Sequence, residues 1–154
     1  AADATYAYAR QVGWIRTDAS SNIISFLQRG DEVFWNSPVS VTGSATTSAT
    51  LQTAFAPPDD TCLAKLSFFF DSLTPLETPI YGLITATAMS DIVPTSTKHN
   101  WAGFTGRNGN WRDTQTANYE IFVDTNSQYR DRYTLATSSL IRSTWGFVYP
   151  RGKG

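Results

Sequence analysis

The chain has 154 residues, enough for one domain with its own core and too few for two, so we expect a single domain over residues 1–154. Its formal net charge is −1, from 12 basic and 13 acidic residues, and no long block of one sign occurs. This balance argues against a nucleic-acid partner, because binding a polyanion needs a basic stripe.

The composition favours strands over helices. Only 16% of the residues are charged, whereas 14% are aromatic, and seven prolines interrupt the chain. The single cysteine, Cys62, rules out an intrachain disulfide, and we interpret it as a buried structural thiol. No apolar run approaches the ~20 residues that a membrane-spanning helix needs, so no membrane insertion is expected.

The first part of the chain predicts a β-meander. Strand-forming runs at Tyr6 to Ile15 and Ile23 to Leu27 flank a turn-forming segment, and a turn at Gly30-Asp31 leads into Val33-Phe34-Trp35. Asp18 is expected to accept hydrogen bonds from its own backbone, so it is interpreted as scaffold. Four aromatic residues are assigned to the core or to an interface: Trp14, Phe26, Phe34 and Trp35.

Later segments add strands with a period of two. Strands are predicted at Ala49 to Ala56, Cys62 to Phe70, Pro79 to Met89 and Ile141 to Tyr149. A hairpin is predicted from Tyr119 to Asp124 and from Arg132 to Ala136, joined by the Asn126-Ser127 turn. Eight or more short strands indicate an all-β fold, and we expect an antiparallel β-sandwich of the jelly-roll type.

The segment from His99 to Asp113 breaks the alternation and is predicted to be a long ordered loop, because its glycines permit tight turns. It combines aromatic with polar side chains, and these form the predicted ligand site: Trp101, Phe104, Arg107, Asn108, Asn110, Trp111, Arg112 and Asp113. Sugar rings stack on aromatic rings while their hydroxyls bond to Asp, Asn and Arg, so carbohydrate is the predicted ligand. Packing of Trp101 and Trp111 against the sandwich end or between protomers is the alternative.

Arg130 and Arg132 should lie on one strand face and Asp131 on the other. This arrangement suits salt bridges better than an anionic-sugar site, so we favour a structural role.

Catalytic chemistry has little support in the sequence. His99 is the only histidine, so any Ser-His-Asp or Cys-His arrangement must include it, and no G-x-S-x-G elbow precedes a helix. One histidine and one cysteine argue against a structural zinc site, and no D-x-D-x-D-G calcium loop occurs. Many carboxylate pairs are available for glycoside hydrolysis, but the sequence selects none of them. We therefore expect no enzyme activity, no cofactor and no metal.

Three segments carry motifs found in a known group of proteins. Residues 13–18 read GWIRTD, residues 28–35 read QRGDEVFW, and residues 145–154 read WGFVYPRGKG. They resemble the G-x-x-R-T-D, Q-x-G-D-x-F/V-x-W and G-[WYF]-x-x-x-R-G elements of bacteriophage tail fibre and tailspike C-terminal domains. The resemblance implies a homotrimeric β-sandwich, here the C-terminal part of a longer tail protein, located at the distal tail of the virion.

The resemblance also implies a function. It implies host attachment through receptor binding to a cell-surface polysaccharide or lipopolysaccharide, with any polysaccharide-cleaving activity in a separate β-helical region. One alternative is a trimerisation cap or structural tail component whose aromatics fill the seams between subunits. Another is a jelly-roll capsid or decoration protein, although the absence of a basic arm argues against it.

Overall fold

The computed structural model describes residues 15–58, 61–70, 79–103 and 115–149. Within these ranges the chain contains strands and no helix, so the all-β prediction is confirmed for the described residues. The strands are β1 (Phe26–Arg29), β2 (Glu32–Ala45), β3 (Thr50–Thr53), β4 (Leu63–Phe70), β5 (Ile80–Ala86), β6 (Trp101–Gly103), β7 (Gln115–Phe122), β8 (Gln128–Tyr133) and β9 (Thr137–Val148).

The strands form two antiparallel sheets. The first has five strands in the order β1-β2-β9-β4-β7, and the second has four in the order β3-β8-β5-β6. Most neighbours in these sheets are distant in sequence, as when β2 pairs with β9. The arrangement is sandwich-like, because the inner faces of both sheets contribute to one cluster of buried side chains.

The shared core explains the clearest sequence pattern. On β4 the predicted inner face is buried, with Ala64, Leu66 and Phe68 each no more than 3% exposed, and Cys62 just before the strand is also fully buried. Phe68 meets Tyr129 of the other sheet edge to face, with ring centroids 6.1 Å apart. Such pairs add to the stabilisation from burial, so this contact helps to hold the two sheets together.

The predicted hairpin between β1 and β2 is present. Gly30 in its turn has φ +59°, a conformation that favours glycine. Asp18 accepts backbone hydrogen bonds from Ser20 and Asn22 at 2.8 and 2.9 Å, as expected for a scaffold residue. The bond from the Asn22 backbone is the main cause of the lowered pKa of Asp18.

The four aromatic residues assigned to the core or an interface have different outcomes. Trp35 is buried, and its indole N–H donates to the Phe55 carbonyl oxygen at 3.0 Å. Phe26 packs against the edge of the core. Phe34 is half-buried and belongs to the opposite face of β2, and Trp14 lies outside the described residues.

The predicted pairing of Tyr119 to Asp124 with Arg132 to Ala136 is wrong. β7 pairs with β4 in one sheet, whereas β8 pairs with β3 and β5 in the other. The Asp124 carboxylate accepts the backbone N–H groups of Asn126 and Gln128 at 2.8 and 2.9 Å. This turn therefore carries the chain from one sheet to the other. The sequence predicts the turn but not the pairing, because these hydrogen bonds fix the turn and leave the partner of the following strand open.

A buried ion pair also connects the sheets. Arg142 of β9 donates from Nε to Oδ2 of Asp131 on β8 at 2.7 Å, and both side chains are buried. Asp131 also accepts hydrogen bonds from Gln52 and Tyr133, at 3.1 and 3.2 Å. Burial raises the pKa of Asp131, and Arg142 opposes this effect.

Candidate functional site

The predicted ligand site is only partly within the described residues. Trp101 begins β6, where it is paired with Gly82 of β5. The loop prediction is therefore wrong for residues 101–103, because the edge of the second sheet extends to include them. The remaining predicted site residues lie outside the described residues: Phe104, Arg107, Asn108, Asn110, Trp111, Arg112 and Asp113.

The segment before β6 is held firmly to the sheet. The Asn100 side chain accepts the backbone N–H of Ile84 at 2.8 Å and donates to the carbonyl oxygen of the same residue. The His99 ring packs on Tyr81 with centroids 4.8 Å apart, and its Nδ1 lies 3.0 Å from the Thr95 carbonyl oxygen. These contacts give the only histidine a local structural role.

Arg130 and Arg132 also have structural partners. Arg130 donates to the carbonyl oxygens of Met89 and Thr87, at 2.8 and 3.2 Å. Arg132 forms an ion pair with Asp91 at 2.8 Å. Asp131 points into the core between them, so the predicted division of the two strand faces is confirmed.

A different aromatic residue, Trp145, is presented by an irregularity in β9. Lys65 of β4 is paired with Gly146, and Leu66 with Thr144, so Trp145 lacks a partner in the ladder. A bulge of this kind re-aims a side chain. Thr144 and Phe147 face the core, whereas Trp145 is 48% exposed on the outer face of the five-stranded sheet.

The bulge requires glycine at the next position. A Cβ atom on Gly146 would lie 2.0 Å from the carbonyl oxygen of Val33, where no side chain fits. The close approach of β2 at this point sets the position of the Trp145 indole. Its N–H donates to Ser67 Oγ on β4, which fixes the orientation of the ring.

Charged and polar side chains surround the indole in a shallow depression of about 450 Å³. We call it the Trp145 depression, and its principal side chains are Phe34, Lys65, Asn118, Glu120 and Trp145. The Lys65 ammonium lies 2.9 Å from the carboxylates of both Glu32 and Glu120, and 5.1 Å from the centre of the Phe34 ring.

The Lys65 ammonium balances one of the two carboxylates that it contacts, Glu32 and Glu120, so one negative charge remains at the Trp145 depression. The hydrogen bond to Glu120 is the main cause of a raised pKa for Lys65; burial acts in the opposite direction, and Glu32 adds to the increase. The site therefore offers the flat indole surface beside carboxylates held by Lys65 and beside the Asn118 amide. Such a surface suits a neutral polyhydroxylated ligand better than an anion.

The sequence did not indicate this site, because the bulge reverses the alternation within β9. Trp145 was placed in the last predicted strand without a role, and only the adjacent Gly146 hinted at an irregularity.

Comparison with known proteins adds no relative: no protein-family model, curated protein or solved structure matches the chain. The described residues include no group of three or more His, Cys, Asp or Glu side chains suited to a metal ion. They also include no helix long and apolar enough to cross a membrane.

Proposed function

We propose that this chain is a distal domain of a bacteriophage tail fibre or tailspike and attaches the virion to a glycan on the host surface. The observation that carries the proposal is the Trp145 depression, where a half-exposed indole lies beside Glu120 and Asn118. The motifs at residues 13–18, 28–35 and 145–154 support the assignment to phage tail proteins.

The binding mode follows from the chemistry of the Trp145 depression. One face of a sugar ring stacks on the Trp145 indole, and its hydroxyl groups donate to the Glu120 carboxylate and the Asn118 amide oxygen. Ser67 already holds the indole, and Lys65 already holds the carboxylates, so little side-chain freedom is lost on binding. The proposed contact is non-catalytic and needs no cofactor.

The strand order supports a jelly roll as the architecture of this domain. Strands β2 to β9 pair in a nested order, β2 with β9, β3 with β8, β4 with β7 and β5 with β6. A long hairpin rolled into two four-stranded sheets gives this nesting, with β1 as an added edge strand. Jelly rolls occur in lectin domains and in viral coat proteins, so the architecture fits a surface-binding role in a virion.

A second candidate function is assembly into a homotrimer. The outer face of the five-stranded sheet exposes Leu27, Phe122 and Trp145 to 48%, 54% and 48%. Large exposed apolar side chains on one face favour association between subunits. In this alternative Trp145 packs against a neighbouring chain in a trimerisation cap, and no glycan binds there.

One pair of variants separates the two functions. We expect the wild type to bind at least one glycan on an array of bacterial surface polysaccharides, and Trp145→Ala to weaken that binding by about tenfold or more. Phe122→Ala is the matched control, because Phe122 is an exposed aromatic of the same sheet outside the Trp145 depression. Sedimentation of both variants should give the particle mass of the wild type.

Two results would contradict the proposed attachment role. If Trp145→Ala lowers the particle mass, Trp145 is an interface residue and assembly is the better explanation. If the wild type binds no glycan on the array, the domain is not an attachment module.

A further inference from the structure

A second cavity, separate from the Trp145 depression, opens between the two sheets. Its volume is about 390 Å³, within the ~300–1,000 Å³ range of small-molecule sites. The edge strand β3 and the facing part of β2 form its sides, and Tyr129 and Arg142 contribute from the core. We call it the inter-sheet cleft. Val39 and Val41 of β2 line it with their side chains on the same face as Thr144 and Arg142, and Val41 is 53% exposed.

Tyr129 leaves a polar group unsatisfied at the inter-sheet cleft. Its side chain is 1% exposed, and among the described residues its hydroxyl has no hydrogen-bond partner. Leaving a buried hydroxyl unpaired is unfavourable, so native structures rarely retain one without a reason. A polar group of a molecule inside the cleft would satisfy the hydroxyl.

Arg142 adds unused donor capacity. Its Nε and Nη2 atoms donate to Asp131 and to the Ser44 carbonyl oxygen, at 2.7 and 3.0 Å. Its Nη1 atom has no acceptor among the described residues. Asp131 balances the charge of Arg142, so this residue supplies hydrogen-bond donors to the cleft without net charge.

Arg16 supplies the net charge. Its guanidinium carbon lies over the Phe55 ring, 3.7 Å from the centroid, and the group has no carboxylate partner among the described residues. Stacking uses the face of the guanidinium and leaves its N–H edge available for a bidentate bond to a carboxylate. Among the described residues no acidic side chain lines the inter-sheet cleft, so Arg16 gives this lining one positive charge.

We propose that the inter-sheet cleft binds a sugar that carries a carboxylate, of the uronic acid type. Arg16 receives the carboxylate, Arg142 and Tyr129 bond to hydroxyl groups, and Val39 and Val41 contact the C–H face of the ring. A simple aliphatic acid would leave the Tyr129 hydroxyl unpaired, which is why a polyhydroxylated acid is the better ligand. This site does not depend on whether the Trp145 depression binds a glycan.

The test is calorimetric titration of the full chain with glucuronate, glucose and acetate in separate experiments. Glucuronate should bind, and the other two should bind at least about tenfold more weakly. Arg16→Gln should weaken glucuronate binding by about tenfold or more, and Tyr129→Phe by about fivefold. Arg29→Gln is the matched control, because Arg29 is an exposed arginine of β1 outside the cleft, and it should leave the affinity unchanged.

Methyl NMR locates the ligand. Glucuronate should shift the methyl signals of Val39 and Val41, and Trp145→Ala should not alter its affinity. The Trp145 variant therefore separates failure of this site from failure of the attachment function. The proposal is overturned if glucuronate does not bind, if acetate or glucose binds as tightly, or if Arg16→Gln leaves the affinity unchanged in a chain with a wild-type circular dichroism spectrum.

Discussion

The buried Asp131–Arg142 pair provides the most direct test of how the two sheets are held together. Arg142→Met keeps most of the aliphatic stem and removes the guanidinium that faces Asp131 at 2.7 Å. The carboxylate then stays buried with only the hydrogen bonds from Gln52 and Tyr133. Removing one member of such a pair costs about 3–5 kcal/mol, because the other charge is left uncompensated.

That loss is a large part of the total free energy of unfolding of a domain, which is ~5–15 kcal/mol. For a domain of this length it corresponds to a decrease in melting temperature of roughly 6–20 °C. Arg132→Met is the matched control. Arg132 forms an ion pair with Asp91 near the surface, where the Asp91 side chain is 41% exposed. Its cost should be at most ~1 kcal/mol, as for other exposed pairs.

The stability lost in Arg142→Met should increase with pH. Burial raises the pKa of Asp131, and Arg142 opposes this, so Arg142→Met should raise the pKa of Asp131 further. A folded-state pKa above the unfolded value means that stability decreases as pH rises through the interval between the two. The variant should therefore be closer to the wild type at pH 4 than at pH 7.

Urea unfolding at both pH values measures the effect, with Asp131→Asn and the double variant completing a cycle. The double variant should lose less stability than the sum of the single variants by at least ~1 kcal/mol. Additive losses, or a loss below ~1 kcal/mol for Arg142→Met at pH 7, would refute the role given to this pair.

Three further predictions concern β9, the Trp145 depression and the predicted loop. Gly146→Ala should lower the free energy of unfolding by ~2 kcal/mol or more, because its Cβ would lie 2.0 Å from the Val33 carbonyl oxygen. Gly30→Asn is the control, since asparagine tolerates φ +59°, and an equal loss in both variants would contradict this account. Lys65 has a raised pKa in the folded chain, so its stabilising contribution should be complete below the unfolded pKa of 10.5 and disappear as pH rises through the folded pKa. Unfolding curves of Lys65→Met should lack this loss of stability at alkaline pH, and identical pH profiles of stability for the variant and the wild type would contradict the prediction. The loop site that the sequence predicts is a contact separate from the Trp145 depression. Trp111→Ala should therefore reduce attachment of the fibre to host cells, because a sugar ring stacks on the indole, while the particle mass and melting temperature stay nearly unchanged. A fall of several degrees or a smaller particle would make Trp111 a packing residue.

The sequence predicted features that depend on local pattern and missed those that depend on pairing. The alternation from Cys62 to Phe68 identified the buried face of β4, because a period of two reports directly which side of a strand is apolar. The same pattern does not identify the partner strand. The turn at Asp124 therefore looked like a hairpin, although it joins two sheets.

The candidate site was harder to predict for the same physical reason. Trp145 and Lys65 lie far apart in the chain and meet only because β9 pairs with β4. The bulge also hides Trp145 in the alternation, because one extra residue exchanges the two faces of the strand. In β6, only three residues pair with β5, which is too short a segment for a period to be recognised.

The central position of β9 has a consequence during synthesis of the chain. It lies between β2 and β4, so that Val148 pairs with Glu32 on one side and with Leu63 on the other. The ribosome releases β9 after the other eight described strands. Until then β2 and β4, although paired with β1 and β7 on their other sides, each keep one open edge that can pair with another nascent chain. The five-stranded sheet can close only after translation has passed residue 148, and until then these open edges are sites for aggregation.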